Sequence, residues 1–276
     1  MGTSSRRPAG CSTGAFGTTA DDPLTSAPTL LAQLTDLHVE VGPGDARAAR
    51  ALAAAVSAVG ALRPSPHAVV VTGDVAESGA AREYERAREL LAPLAMPIHA
   101  IPGNHDDADE LHAQFGGDRP YGYGERLGGI RLVAMDSTRP GHDDGSLPAD
   151  RFAWLGEQLA AEPDRPTIVA MHHPPLLTGI PSLDVLGFPE DERRALAAVL
   201  AANPQVCRVV AGHVHRAAFG TLGRCGVVAC PATFLEARLE IGGTILDLAE
   251  ASPGFALHVV LGDECASHVQ SVTTAA

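Results

Sequence analysis

The sequence predicts an α/β protein. Short apolar runs, rich in β-branched residues, alternate with longer stretches rich in alanine, arginine and glutamate. The short runs have the length and composition of buried strands, and the longer stretches carry apolar residues at helical spacing. This alternation is typical of helices packed on a mostly parallel sheet, to which the hairpin-like last third adds antiparallel strands.

Each element is predicted from its own pattern. The strand at 68–72 is almost entirely valine, and the helix at 80–94 places Tyr84 and Leu91 on one face and its charges on the other. Acidic residues in the first turn favour a helix at 106–115, and a proline at the start favours one at 148–161. The remaining predicted strands are 29–34, 97–101, 130–135, 167–171 and 206–211, and the remaining helices are 45–62 and 189–202.

The chain is predicted to form a single catalytic domain. Its 276 residues allow one large or two small domains, and the sequence contains neither a linker nor an internal repeat. We therefore expect one domain at 29–265, between a flexible N-terminal tail at 1–28 and a C-terminal tail at 266–276. No apolar stretch reaches the ~20 residues of a membrane span.

Cysteine usage favours a cytoplasmic protein. The five cysteines are odd in number and form no CxxC pair, which disfavours a disulfide framework or a zinc knuckle. Cys225 and Cys230 would pair only if facing strands brought them together, and buried thiols are the favoured interpretation.

The charges exclude several functions. The net charge of −13 disfavours binding to long nucleic acid, although metal ions would still allow a small anionic substrate. All twenty basic residues are arginine. The absence of lysine excludes a Walker-A loop, Schiff-base chemistry and a protein-kinase core.

Residues that can bind metals follow six predicted strands directly. In chain order they are Asp36 and His38, Asp74, Asn104 and His105, Asp136, His172 and His173, and His213 and His215. Ligands of α/β sheets gather at the carboxyl ends of strands. Residues i and i+2 of an extended chain point the same way, so Asp36 and His38 are expected to reach one ion, and His213 and His215 one ion or two neighbours. Oxygen and nitrogen donors suit Mn, Fe, Zn or Co.

Five motifs make the chain resemble the calcineurin-like metallophosphoesterase superfamily. They are Asp36-Leu37-His38, Gly73-Asp74, Gly103-Asn104-His105-Asp106, His172 and Gly212-His213-Val214-His215. The finer details resemble class III cyclic nucleotide phosphodiesterases and bacterial glycerophosphodiesterases. The resemblance implies a four-layer α-β-β-α sandwich with two mixed sheets and a dinuclear metal centre.

The resemblance also implies a role for each motif residue. Asp36, His38 and His215 would hold one metal, Asn104, His172 and His213 the other, and Asp74 would bridge both. His105 would be catalytic, stabilising or protonating the leaving group. His172 is preferred over His173 as a ligand because the resemblance implies a ligand directly after the strand. His173, Asp136 and His142 are expected either to contact the substrate or to orient the metal ligands without binding a metal themselves.

The predicted function is a phosphodiesterase that uses a metal-bound hydroxide and acts most readily on 3′,5′-cyclic nucleotides. Glycerophosphodiesters, a broad range of diesters, or phosphomonoesters are the alternatives within the enzyme class. A non-catalytic scaffold is disfavoured because all seven ligand positions and His105 are filled. Relatives of this kind are often homodimers, which is an expectation from resemblance alone.

Overall fold

The computed structural model describes residues 27–42, 45–116 and 121–273. The strands are β1 (Thr29–Leu34), β2 (Ala68–Thr72), β3 (Ile98–Ile101), β4 (Gly122–Leu127), β5 (Ile130–Met135), β6 (Thr167–Ala170), β7 (Val206–Ala211), β8 (Ala218–Leu222), β9 (Cys225–Ala229), β10 (Leu235–Ala237), β11 (Leu248–Glu250), β12 (Gly254–Leu261) and β13 (Glu264–Ser271). The helices are α1 (Asp45–Gly60), α2 (Ala81–Leu91), α3 (Ala108–Phe115), α4 (Ala149–Ala160), α5 (Pro181–Asp184) and α6 (Glu190–Ala202).

The strands form two large mixed sheets and one small one. The first large sheet has the order β13-β12-β1-β2-β3, in which β1, β2 and β3 are parallel. The second has the order β4-β5-β6-β7-β9-β8, in which β5, β6, β7 and β9 are parallel. The hairpin strands β10 and β11 pair only with each other. The predicted mixed sheets are therefore confirmed.

Alternation along the strands builds four layers, as expected. In β2, Val69 and Val71 pack with the core formed by α1, α2 and α3, whereas Val70 packs with residues of the opposite sheet. In β5, Val133 packs toward α4 and α6, whereas Leu132 joins the layer between the sheets. Because successive side chains of a strand point to opposite faces, the central strands β2 and β5 are buried on both faces and appear in the sequence as nearly continuous apolar runs.

Some boundaries differ from the predictions. Strand β13 pairs with β12 in an unbroken register from Leu261–Glu264 to Gly254–Ser271, so the expected C-terminal tail at 266–276 is wrong for 266–271. The sequence does not reveal this strand because β13 lies at the edge of the sheet and its side chains are mostly polar and exposed, so they form no apolar pattern. The expected N-terminal tail lies outside the described residues as far as position 26, as does Cys11.

The described cysteines are free thiols. Cys225 and Cys230 do not pair, because the thiol of Cys225 faces the carbonyl of Val206 and the thiol of Cys230 faces the carbonyl of Gln33. No helix within 27–42, 45–116 and 121–273 combines the length and apolar character that crossing a bilayer demands.

A buried polar network joins the two sheets. His258 on β12 contacts Ser267 Oγ through Nδ1 (2.8 Å) and donates from Nε2 to Gln33 Oε1 (3.0 Å). The Gln33 amide donates to Thr72 Oγ1 (2.8 Å) and to the carbonyl of Ala211 (2.9 Å) at the end of β7. Gln33, Thr72 and Ala211 lie at or near the ends of β1, β2 and β7, which are followed by the loops of the predicted ligands, so the network fixes these three strand ends relative to one another.

This network predicts an acid-sensitive fold. Burial, followed by the charge of Arg208, lowers the pKa of His258 to about 3, from an ordinary value of 6.5. Below pH 6.5 the unfolded chain takes up a proton at this residue and the folded chain does not, so stability falls by about 1.4 kcal/mol per pH unit from this group. Urea unfolding between pH 7 and 5 should show a shallower pH slope for His258→Gln. Equal slopes would contradict the prediction, and His112→Gln controls for the loss of a histidine as such.

Candidate metal centre

The predicted ligands meet at one edge of the two sheets. Parallel strands β1, β2 and β3 of the first sheet end beside parallel strands β6 and β7 of the second. The loop after each strand contributes at least one polar side chain to the same place, as expected for the carboxyl ends of strands.

Asp36, His38, Asp74 and His215 form the first group of donor atoms. One ligand atom from each lies within 4.8 Å of the others, and all four residues are buried. His38 Nε2 is 3.1 Å from His215 Nε2 and 3.7 Å from Asp74 Oδ2, and His215 Nε2 is 3.6 Å from Asp36 Oδ1. These atoms are close enough to one another to bind a single metal ion.

Asn104, His172 and His213 form the second group around the same carboxylate. His172 Nε2 is 3.4 Å from Asp74 Oδ2, 3.0 Å from Asn104 Oδ1 and 3.2 Å from His213 Nδ1. Asp74 Oδ2 therefore faces both groups. His213 and His215, which the sequence allowed to share an ion, fall into different groups.

Hydrogen bonds on the far ring nitrogens fix three of the histidines. Nδ1 of His38 donates to the Glu77 carboxylate (2.7 Å), Nδ1 of His172 to the Thr72 carbonyl (2.7 Å) and Nδ1 of His215 to the Leu235 carbonyl (3.2 Å). These partners accept only, so the proton of each neutral ring sits on Nδ1 and Nε2 carries a lone pair.

This protonation pattern fits bound cations. When both rings are neutral, the lone pairs of His38 Nε2 and His215 Nε2 face each other at 3.1 Å, an arrangement that a positive charge between them relieves. The donors are nitrogen and oxygen atoms, which suit Mn, Fe, Zn or Co. The residues thus fit two metal ions by their chemistry.

Backbone strain is concentrated on the same residues. The non-glycine residues of the described chain with positive φ are Asp36, His38, Asp74, His213 and His215, with φ between 45° and 69°. Left-handed backbone costs energy for such residues and tends to persist at functional sites. The i and i+2 pairs therefore reach the site through left-handed turns, and the expected extended chain is wrong at these positions.

Glycines allow the loops to approach closely. Gly73 has a φ of 93°, and a Cβ there would collide with the His172 ring. A Cβ on Gly212 would collide with the side chains of Thr35 and Asp36. The absence of a side chain at these two positions therefore lets the loops pass this close to the site.

Electrostatics hold Asp74 and His213 in their metal-binding forms. Burial opposes ionisation of Asp74, but His172 and His38 hold its pKa well below the usual range. Burial and the neighbouring His172 lower the pKa of His213 to about 3. Asp74 is therefore ionised and His213 neutral at neutral pH, as metal binding requires. Despite burial, Asp74 raises the pKa of His172 to about 9, and Glu77 raises the pKa of His38, so these two rings must release a proton when a cation binds.

His105 lies beside the two groups. Its backbone N–H donates to Asp74 Oδ1 (3.0 Å) and its ring Nδ1 donates to the Glu77 carbonyl (2.9 Å). Its ring packs edge-on against His38, with 4.8 Å between centroids, and remains exposed. The Nε2 atom is consequently the one left for a substrate. Asp106, expected in a helix's first turn, instead accepts from the backbone N–H groups of Val75, Ala76 and Gly103.

His173 lies beside His172 and His213, and one ring nitrogen of each lies within 4.8 Å of the others, but the hydrogen bonds of His173 distinguish it from His172. Both ring nitrogens of His173 have protein partners, Ser137 Oγ at 2.9 Å and the Asp143 carbonyl at 3.2 Å. Burial, together with His213 and His172, holds the pKa of His173 well below its usual value. His173 thus ties the loop carrying Asp143 to the sheet.

Asp136 and His142 lie apart from the metal-ligand groups. Asp136 accepts from the backbone and hydroxyl of Thr138 (both 2.7 Å) and pairs with Arg151 (3.2 Å). His142 is exposed and contacts the Arg139 guanidinium. Neither lines the cavity described next.

A cavity of about 440 Å³ opens above the ligands. Its floor includes His38, Asp74, Asn104, His213 and His215, and its lining also includes Glu40, Glu77, His105 and Asp143. An apolar wall is formed by Leu183, Leu186, Val214, Phe234, Leu235, Leu246 and Leu248. Leu183 and Leu186 of the segment between β6 and α6 supply part of this wall, and the segment at 234–248, whose sequence carries no ligand-type motif, supplies most of the rest.

Asn104→Ala tests the second group. We expect this variant to lose one of two bound ions and at least ~100-fold in turnover, because it removes the amide oxygen 3.0 Å from His172 Nε2 and so leaves one donor fewer in the second group. Metal content measured with turnover checks it. Unchanged metal content and turnover would remove Asn104 from the ligand set.

The chain matches a family model and curated proteins over most of its length. The model for calcineurin-like phosphoesterases matches residues 29–217. A probable cyclic nucleotide phosphodiesterase of Synechococcus is 34% identical over 228 residues, covering 79% of this chain and 87% of the relative. The glycerophosphodiester phosphodiesterase GpdQ of Enterobacter lignolyticus is 32% identical over 262 residues, covering 88% of this chain and 91% of the relative.

A solved structure shares the fold. A dimetal phosphatase from Danio rerio superposes with a TM-score of 0.59 over 90% of this chain and 99% of that chain, at 16% identity. At that identity the likeness concerns the architecture of the two sheets and their covering helices.

Proposed function

The chain belongs to the calcineurin-like phosphoesterase family and is a metal-dependent phosphodiesterase, and from this premise we propose that 3′,5′-cyclic nucleotides are its substrates. The observation that carries the chemistry is the pair of donor groups sharing Asp74 Oδ2, with His105 beside them. The relatives named for cyclic nucleotides and for glycerophosphodiesters define the two substrate classes to be separated.

We assign Asp36, His38 and His215 to one ion, Asn104, His172 and His213 to the other, and Asp74 to both. Two such ions, when bound, supply Lewis acidity toward phosphoryl oxygens and an activated water at neutral pH. We favour Mn, Fe, Zn or Co for both positions because the donor set mixes imidazole with oxygen.

His105 has the geometry of a proton donor to the leaving oxygen. The Glu77 carbonyl fixes its Nδ1 proton, so Nε2 is the atom that gives up a proton as the phosphoester bond breaks. The hydrogen bond from the backbone N–H of His105 to the Asp74 carboxylate keeps His105 at a constant position relative to the donor groups.

The cavity wall favours a cyclic nucleotide over a glycerol ester. Phe234 and the leucines at 183, 186, 246 and 248 offer an apolar surface beside the ligands, on which a nucleobase would bury its flat faces. A glycerol group would leave this wall in contact with water. Glycerophosphodiesters therefore remain the second candidate, favoured by the similarity to GpdQ.

A substrate panel at equal Mn²⁺ loading tests the proposal. Cyclic AMP, glycerophosphocholine, bis-p-nitrophenyl phosphate and p-nitrophenyl phosphate are compared by kcat/KM. We expect cyclic AMP to exceed glycerophosphocholine at least tenfold. The reverse order would favour the glycerophosphodiesterase, dominance of the monoester would favour a phosphomonoesterase, and no turnover with any divalent ion would favour a binding scaffold.

Location and assembly are part of the proposal. The unpaired thiols at positions 207, 225, 230 and 265 support a reducing compartment, and we propose the cytoplasm. A homodimer is expected from the resemblance, and light scattering of the purified protein tests it.

A further inference from the structure

Glu77 makes hydrogen bonds to a proposed metal ligand, His38, and to the proposed proton donor, His105. Its carboxylate Oε2 accepts from His38 Nδ1 at 2.7 Å, and its carbonyl accepts from His105 Nδ1 at 2.9 Å. Its own N–H donates to the Val39 carbonyl at 3.0 Å. One residue is thus tied to a proposed metal ligand, to the proposed proton donor and to the loop that carries the first group.

The carboxylate lies on the far side of the His38 ring from the metal position. His38 Nε2 faces His215 and Asp74, whereas Nδ1 faces Glu77. Although His38, Glu77 and His105 lie close enough to hold an ion themselves, the carboxylate is already engaged with Nδ1 of His38. The geometry is therefore that of a carboxylate–histidine–metal arrangement, in which the carboxylate orients the ring and makes the other nitrogen more basic.

We propose that Glu77 is a positioning residue that sets the affinity of the ion held by Asp36, His38 and His215. Its side chain acts on that ion through His38. Its backbone carbonyl separately holds His105, and this second bond survives any side-chain substitution. The inference rests on the proposed function, because it assumes that His38 binds an ion.

The two contacts predict that substitution of the Glu77 side chain lowers Mn²⁺ affinity but leaves kcat at saturating Mn²⁺ nearly unchanged. Glu77→Ala removes the partner of His38 Nδ1, frees the ring to rotate and exchange tautomers, and should weaken Mn²⁺ binding at one of two sites by about 10- to 100-fold. Glu77→Gln keeps an oxygen acceptor and should recover most of the affinity. At saturating Mn²⁺, kcat of Glu77→Ala should stay within about threefold of wild type because the carbonyl still orients His105.

Glu40→Ala is the matched control. Glu40 lines the same cavity and carries the same charge, and within the described part of the chain it makes no hydrogen bond or ion pair to a histidine. This variant measures how far the loss of one negative charge near the ions changes Mn²⁺ affinity. We expect the affinity to fall twofold or less.

The test is calorimetric titration of the metal-free proteins with Mn²⁺, followed by kcat at saturating Mn²⁺. The Glu77 side chain is 47% exposed, so metal-free Glu77→Ala should unfold at the wild-type temperature. The inference fails if Glu77→Ala binds Mn²⁺ as tightly as wild type, if Glu40→Ala loses as much, if Glu77→Gln is as weak as Glu77→Ala, or if kcat stays low at saturation. A wild-type protein that binds no Mn²⁺ would instead overturn the proposed function.

Discussion

Asp74→Asn should lose at least one bound metal ion and at least roughly a thousandfold in kcat/KM. The substitution keeps the shape of the side chain and an oxygen that accepts from the His105 N–H, so the loop is preserved. What it removes is the negative charge at Oδ2, which lies 3.4 Å from His172 Nε2 and 3.7 Å from His38 Nε2. No other carboxylate among the described residues faces both donor groups. Metal content and turnover with bis-p-nitrophenyl phosphate check this result.

Asp136→Asn is the matched control. Asp136 also follows a strand and is also largely buried, but it pairs with Arg151 and Thr138. We expect this variant to keep both ions and its turnover while losing some stability. Equal damage from the two substitutions would mean that Asp74 acts through folding, and intact metal content in Asp74→Asn would contradict its bridging role.

His105→Ala should keep both ions and lose about 10²- to 10³-fold in kcat, with a smaller change in KM. The ring contributes no donor atom to either metal group; its backbone N–H, which the substitution leaves in place, bonds to Asp74. The loss should be smallest for leaving groups of low pKa, such as p-nitrophenol, because they need no proton to depart. A comparison of bis-p-nitrophenyl phosphate with cyclic AMP measures this difference.

His142→Ala provides the comparison for His105. It removes an exposed histidine that contacts Arg139 and does not line the cavity, so metal content and kcat should both be unchanged. A His105→Ala variant that loses metal in proportion to activity would show that the ring is a ligand. Equal slowing for good and poor leaving groups would contradict proton donation.

Much of the fold was predictable because its signals are local. The apolar runs of β2 and β5 are buried on both faces, and such strands are continuous in sequence. Strand β13 was missed because only one of its edges is paired and most of its side chains are exposed, so it lacks an apolar signature.

The ligand positions were predictable because they follow strands, but their geometry was not. The left-handed turns at Asp36, His38 and His215 arise from the convergence of five loops, which no single motif encodes. The contact between Glu77 and His38 spans 39 positions and depends on the bridge between Val39 and Ala76. Both features depend on tertiary packing.

Anomalous diffraction from crystals grown with Mn²⁺ tests the dinuclear centre most directly. We predict two peaks about 3.5–4 Å apart, one beside Asp36, His38 and His215 and the other beside Asn104, His172 and His213, with the Asp74 carboxylate touching both. A single ion, or two ions that do not share Asp74, would contradict the account.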